Sequence, residues 1–197
     1  MSYDIAIAGV GGQPIDRLVE LLAAVCAQAR EPFLSTAPRG VHLLGGTRLA
    51  QVSVGPCYSS IVTEDTGEAL VALEAGEGLR YAKFCARDGV AFIDRVAIAP
   101  SDLPAGASYP AVEALEAAVR ELIPATRAAD FGAIAQQAGA TRAHAYAVIL
   151  GAISKADGLG VLDTSWKQGL VNAKADAGET AAFAAGAKWA QQEKPPA

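Results

Sequence analysis

The sequence predicts an α/β fold: three layers, α/β/α, around a mostly parallel sheet with an added antiparallel hairpin and a Rossmann-like start. Three observations carry this. A short apolar run at residues 3–8 closes on Gly9-Val10-Gly11-Gly12 and gives way to a segment of helical period. Short apolar runs then alternate with helical-period segments between residues 69 and 138, the pattern of βαβ units. Between them, residues 47–54 alternate apolar and polar positions and meet Gly55-Pro56, a turn signal for a hairpin.

The elements follow in order. After the first strand, a helix over residues 15–29 presents Leu18, Leu21, Leu22 and Val25 at helical spacing, with Pro14 in a first turn that needs no N–H there. Residues 33–36 suit a second strand, and 38–46 are too glycine-rich for a regular element, so they read as a surface loop. Residues 47–54 and 58–62 make the two arms of the hairpin. The continuous apolar run 69–73 fits a strand covered on both faces, followed by a helix over 74–86 that stops before Asp88-Gly89, and by a strand over 90–94. Residues 100–110 hold three prolines and form a connector. Beyond it stand a helix over 111–123, a strand over 125–129, a helix over 131–138 and a longer one over 142–156 with Thr141 as its N-cap. Helices over 165–174 and 178–190 complete a single domain of residues 1–190, and residues 191–197 form a frayed tail.

Composition narrows the function classes. Apolar residues make up 52% of the chain and charged ones 19%, a balance that leaves room for a surface buried against a partner or, equally, for an alanine-rich helical surface. The net charge of −5 and the absence of any basic run exclude a nucleic-acid footprint. Three widely spaced cysteines, Cys26, Cys57 and Cys85, offer neither a disulfide framework nor a metal knuckle, which fits a reducing cytoplasm. No segment approaches the roughly 18 to 20 apolar residues that span a bilayer, and the N-terminus has no export-signal pattern, so a cytoplasmic protein without a membrane anchor is expected.

The candidate site residues cluster around glycines. A strand ending at Gly9-x-Gly11-Gly12 before a helix aims backbone N–H groups and a positive helix end at one spot, which suits a phosphate or carboxylate. The same glycines also serve simply to let the first helix pack closely on the sheet, and both readings stand. A dinucleotide site is disfavoured, because Pro14 occupies the place of the third glycine and Ser35 and Thr36 stand where a ribose-binding acid belongs. Of the two histidines, His42 lies in the glycine-rich loop and is the candidate catalytic group, whereas His144 reads as a packed or partly exposed helix residue.

What is missing is equally informative. The chain has no Gly-Asp-Gly signature for thiamine diphosphate and its Mg²⁺, and its only asparagine is Asn172. It has too few cysteines for an ordinary iron–sulfur cluster, no H-x-x-H pair for a metal and no nucleophile elbow. The acidic group Glu64, Asp65 and Glu68 reads as a solvated turn.

Four stretches together carry a resemblance. They are the opening Tyr3-Asp4-Ile5-Ala6-Ile7-Ala8-Gly9-Val10-Gly11-Gly12-Gln13, the loop from Arg39-Gly40 to Gly45-Gly46 with its following strand, Ala72-Leu73-Glu74 with Leu79-Arg80-Tyr81, and Leu150-Gly151-Ala152. In order and spacing the chain resembles the small subunit of indolepyruvate ferredoxin oxidoreductase and the gamma subunit of related 2-oxoacid ferredoxin oxidoreductases, over nearly its whole length. Two departures stand out: Pro14 replaces the glycine that usually follows Gly-Gly-Gln, and Leu43-Leu44-Gly45-Gly46 replaces the usual Gln-Arg-Gly-Gly, which removes a bidentate anion donor.

The resemblance implies a gamma-type domain in a heteromeric complex. A large partner subunit would carry thiamine diphosphate, Mg²⁺ and iron–sulfur clusters, decarboxylate an indolepyruvate-like or other 2-oxoacid, pass electrons to ferredoxin and deliver the acyl group to coenzyme A, with coenzyme A at the interface. On that reading this chain binds no cofactor alone, and Gly9, Gly11, Gly12, Gln13, Gly45, Gly46 and Glu74 face the cofactor or the partner. The competing readings are a stand-alone nucleotide or acyl-CoA binding protein and a purely scaffolding subunit.

Overall fold

The computed structural model describes residues 2–37, 46–99, 103, 106, 108–156 and 158–192. Six strands form one sheet in the order β2-β3-β1-β4-β5-β6: β1 (Tyr3–Val10), β2 (Phe33–Thr36), β3 (Thr47–Val54), β4 (Gly67–Ala72), β5 (Cys85–Asp94) and β6 (Ala125–Ala129). β1, β4, β5 and β6 run parallel, while β3 is antiparallel to both β1 and β2. Among the described residues seven α-helices accompany them: α1 (Ile15–Ala29), α2 (Ala75–Tyr81), α3 (Val112–Leu122), α4 (Phe131–Gln137), α5 (Ala145–Ile153), α6 (Trp166–Asn172) and α7 (Ala177–Gln192).

The predicted α/β/α layering is the one observed. Each central strand buries both faces, because Ile5, Ile7, Val71 and Phe92 point to one side and Ala6, Ala8, Leu70 and Ile93 to the other. The first side carries α1, α4, α5, α6 and α7; the second carries α2 and α3. α5 is buried along residues 146–153, so it needs no polar face. It crosses α7 at backbone distance, and a Cβ on Gly186 would meet the Val148 carbonyl oxygen at 1.8 Å, one on Gly151 the Phe183 oxygen at 2.0 Å.

Three expectations are corrected. β3 is antiparallel as read, but residues 58–62 form no strand. Both edges of β3 are already filled, by Ala6 opposite Gln51 and by Thr36 opposite the same residue, so no ladder position remains for a hairpin arm. The chain over 55–66 is held at its ends by backbone bonds, the Gly55 N–H to the Pro32 carbonyl and the Asp65 N–H to the Lys83 carbonyl, and between them by side chains, Gln51 Nε2 donating to the Val62 carbonyl and Thr36 sharing a hydrogen bond with Ser60. The helix expected over 74–86 ends at Tyr81, passes through a 3-10 turn at Ala82–Phe84 and enters β5 at Cys85. Asp88-Gly89 is thus not a stop but part of a register shift in which Gly67 faces Cys85 and Ala69 faces Val90. Finally, residues 142–144 form a 3-10 turn ahead of α5, and Thr141 caps that turn: its side chain and that of His144 cap each other's backbone.

The topology fixes where a ligand site belongs. From β1 the chain leaves through α1 toward β2, whereas from β4 it leaves through α2 toward β5, in the opposite direction along the sheet. The carboxyl ends of β1 and β4 therefore flank a switch point, the usual place for a ligand crevice in open α/β sheets.

Candidate functional site

A pocket of about 610 Å³ opens at that switch point. Its floor is built by the first turn (Gly12, Gln13, Pro14) and by Leu73 beyond β4, its side by Asp94 at the end of β5, and its far wall by Gly132 and residues 142–146. Gln13 rivets the floor: its Oε1 accepts from the Val10 N–H at 2.7 Å and its Nε2 donates to the Leu73 carbonyl at 2.7 Å, tying the glycine turn to the end of β4. Gly12 adopts φ of 102°, a conformation open to glycine and strained for any L side chain.

The predicted residues divide into three groups. The Gly11 N–H donates to the Gly46 carbonyl at 2.7 Å, so the structure brings together the glycine turn and the start of the strand after the 40s loop. Gly12 and Gln13 line the pocket. Gly9 is buried beneath Gln13, and Glu74, expected to face cofactor or partner, is 0% exposed. The Glu74 carboxylate caps α2 by accepting from the Glu77 N–H at 2.7 Å, and it also accepts from the Ile98 N–H and the Tyr109 hydroxyl. That occupancy makes it a clamp on the residues after β5 rather than a surface group. His42 and Gly45 lie outside the described residues.

The anion reading of the turn loses part of its basis. The N–H groups of Val10 and Gly11 are spent on Gln13 and Gly46, Pro14 has none, and Asp16 places a carboxylate in the first turn of α1, paired with Arg48 at 2.9 Å.

The side and the far wall hold chemistry that sequence reasoning missed. Asp94 is 3% exposed, and its Oδ1 accepts from the Phe131 N–H at 3.0 Å. Burial pushes its carboxyl up to about 7, with the Phe131 hydrogen bond opposing, Asp130 reinforcing and Arg142 opposing the rise. Arg142 lies against Gly132 and donates to Asp130 at 2.7 Å. His144 accepts at Nδ1 from the Thr141 N–H at 3.2 Å, while Nε2 faces Asp176 at 3.6 Å. Tyr146 donates to Glu179 at 2.6 Å. Glu179 is 3% exposed and binds Arg17 through both oxygens, at 2.7 and 2.8 Å, so one carboxylate joins α1, α5 and α7 behind the pocket.

The signals for this wall were present but weak. Asp94 ends an apolar strand on the carboxyl side of the sheet, and Thr141 stands three residues before His144, the spacing of a reciprocal cap. Among the described residues, no group of three or more His, Cys, Asp and Glu side chains is placed to hold a metal ion. Cys26 and Cys85 are buried apart from each other and from the half-buried Cys57, so these residues do not fit a cluster.

Residues 4–189 match the family model described as pyruvate ferredoxin/flavodoxin oxidoreductase. The chain belongs to this family. Among relatives, this oxidoreductase-family chain is 27% identical to the indolepyruvate oxidoreductase subunit IorB of Archaeoglobus fulgidus, over 76% of its own length and 75% of the relative's. It is also 27% identical to the IorB subunit of Thermococcus kodakarensis, over 84% and 83% of the two chains. Among solved structures, it superposes on 2-oxoglutarate:ferredoxin oxidoreductase from Magnetococcus marinus, which has 2-oxoglutarate, coenzyme A and succinyl-CoA bound, with a TM-score of 0.67 and 19% identity. That match covers 99% of this family member but 32% of the Magnetococcus chain, about a third of its length. A keto/oxoacid ferredoxin oxidoreductase gamma subunit from Geobacter sulfurreducens gives a TM-score of 0.61 at 17% identity, over 97% and 99% of the two chains. At these identities the structural likeness shows a shared fold. No helix among the described residues of this family member is long and apolar enough to cross a membrane.

Proposed function

We propose that this chain is the small subunit of a 2-oxoacid:ferredoxin oxidoreductase that acts on indolepyruvate or another aryl 2-oxoacid and yields an acyl-CoA. The observation that carries the reading is the family match over residues 4–189, in a chain whose relatives along most of their length are indolepyruvate oxidoreductase subunits. The described residues offer no metal cluster site, and the sequence has three cysteines, too few for an ordinary iron–sulfur cluster. In this proposal thiamine diphosphate, Mg²⁺ and the iron–sulfur clusters belong to a larger partner subunit, which passes electrons on to ferredoxin in the cytoplasm.

In this reading the pocket at the strand ends faces the partner's active-site mouth. Gly12 keeps one rim low, Gln13 fixes the turn against β4, and the Glu179 network sets the position of Tyr146 on the opposite wall. Coenzyme A enters at the interface, alongside Gly11, Gly12 and Gly46. The glycine turn serves as a contact surface, since two of its N–H groups are already bonded within the chain. The chain has no turnover by itself.

The test is reconstitution. The chain is co-expressed with its large partner, and 2-oxoacid-dependent reduction of a viologen dye is followed with and without coenzyme A. Turnover by the complex and none by either chain alone is the expected result. A stable complex that is inert toward every aryl and branched 2-oxoacid tried would overturn it.

A further inference from the structure

The charges around the pocket constrain what it accepts. Arg142 is paired with Asp130 at 2.7 Å and Arg95, next to Asp94 on β5, with Glu116 at 2.7 Å on α3. His144 faces Asp176, and Arg17 behind the wall is held by Glu179. Each of these cations is matched by a carboxylate, so the wall carries no surplus of positive charge to hold an anion. Asp94 differs from the other acids: it has a cavity beside it, 3% exposure, and backbone N–H groups as its hydrogen-bond donors, that of Phe131 on Oδ1 at 3.0 Å. An ionised carboxylate in that position repels an anionic ligand and leaves buried charge uncompensated. A protonated one offers a hydrogen-bond donor to the cavity beside it without adding charge to it.

We infer that the pocket takes an uncharged ligand bearing an amide or ketone carbonyl, and that Asp94 holds that carbonyl by donating a hydrogen bond from its protonated carboxyl. The inference rests on reading the pocket as a ligand site, and it adds the ligand's charge and the group that recognises it. A carboxyl pushed up to about 7 is protonated in a substantial fraction of molecules at neutral pH. The groups facing Asp94 are Asp130 at the N-cap of α4 and Arg142 of the 3-10 turn, with His144 and Tyr146 across the pocket. Asparagine is the informative replacement: its Oδ1 still accepts from the Phe131 N–H, and its Nδ2 donates at every pH.

The experiment is titration of the 197-residue chain with pantetheine, a neutral probe with two amides, followed by NMR or calorimetry at pH 6 and pH 8, with inorganic phosphate and acetate as anionic probes. Pantetheine is expected to bind at pH 6 and about tenfold more weakly at pH 8, as the donor-competent fraction falls. Asp94→Asn should bind equally at both values, and His144→Gln should keep the wild-type dependence. Failure of pantetheine to bind at pH 6, equal wild-type binding at pH 6 and 8, or tighter binding of phosphate or acetate than of pantetheine would each overturn the inference. Dye reduction by the reconstituted complex is scored separately, so a failed pocket and a failed assignment of the chain give different results.

Discussion

Replacing Glu179 by alanine removes the one carboxylate that fastens α1, α5 and α7 to each other. In the folded chain it accepts from Arg17 at 2.7 and 2.8 Å, from the Tyr146 hydroxyl at 2.6 Å and from the Asp176 N–H at 2.9 Å, while its own N–H is capped by Asp176. The Arg17 bond, aided by Tyr146 and the Asp176 N–H against the cost of burial, holds its carboxyl down at about 2. Against an ordinary glutamate value that depression corresponds to about 3 kcal/mol, and loss of one partner of a buried pair costs about 3–5 kcal/mol. For a chain of this size that is a fall in Tm of roughly 10 °C.

The sign follows from the depressed value. Glu179 contributes stability that is complete above the ordinary glutamate range and is lost as pH falls through about 2, so the gap between wild type and Glu179→Gln should narrow below pH 4.5. Calorimetry at pH 7 and pH 3 measures both. A double-mutant cycle with Arg17→Met should show coupling, the double variant losing less than the sum of the two singles, because either single change already breaks the Arg17–Glu179 pair. A loss below about 1 kcal/mol at pH 7, or additive single variants, would refute the assignment of Glu179 as the junction of three helices.

Further predictions follow from other positions. Asp94 is the opposite case: its folded carboxyl lies above the unfolded one, so the folded state binds more protons between about pH 4 and 7 and stability falls as pH rises through that window. Asp94→Asn should therefore be more stable than wild type at pH 8, by up to the order of 4 kcal/mol, and level with it at pH 4; urea unfolding at the two pH values checks this. Gly186→Ala should cost about 1–3 kcal/mol or more, since the new methyl meets the Val148 backbone at 1.8 Å and neither helix has room to shift; an unchanged urea midpoint would contradict it. Burial pushes the Cys26 and Cys85 thiols up to about 12, so a thiol reagent should label one of the three cysteines, Cys57, in the native chain and all three after unfolding.

Much of the fold was legible because its signals were local. The strand–glycine–helix opening, the β4 run, the α3 stripe of Leu115 and Val119, and the break at Pro124 each follow from periodicity or from a residue that cannot continue an element. The misplaced hairpin shows the limit. Residues 58–62 have strand-like composition, but strand formation needs a free edge, and sheet order decides that through the pairing of β3 with β1 and β2, strands distant from residues 58–62 in the chain. The site was legible on one side only. The glycine turn has a sequence signature, whereas Asp94, Arg142 and Tyr146 are ordinary in isolation and acquire meaning where the end of β5 meets the 3-10 turn before α5. Glu74 enters through the family resemblance alone, and nothing local in the sequence shows that its carboxylate caps α2 and clamps Ile98 and Tyr109.

We propose that this chain works only as part of a larger oxidoreductase. The direct measurement is viologen reduction driven by indolepyruvate and coenzyme A, assayed for the small chain, the large chain and the purified complex at equal concentration. The account predicts a signal from the complex alone. Keto-acid oxidation by the isolated small chain, or full activity of the large chain without it, would contradict the account.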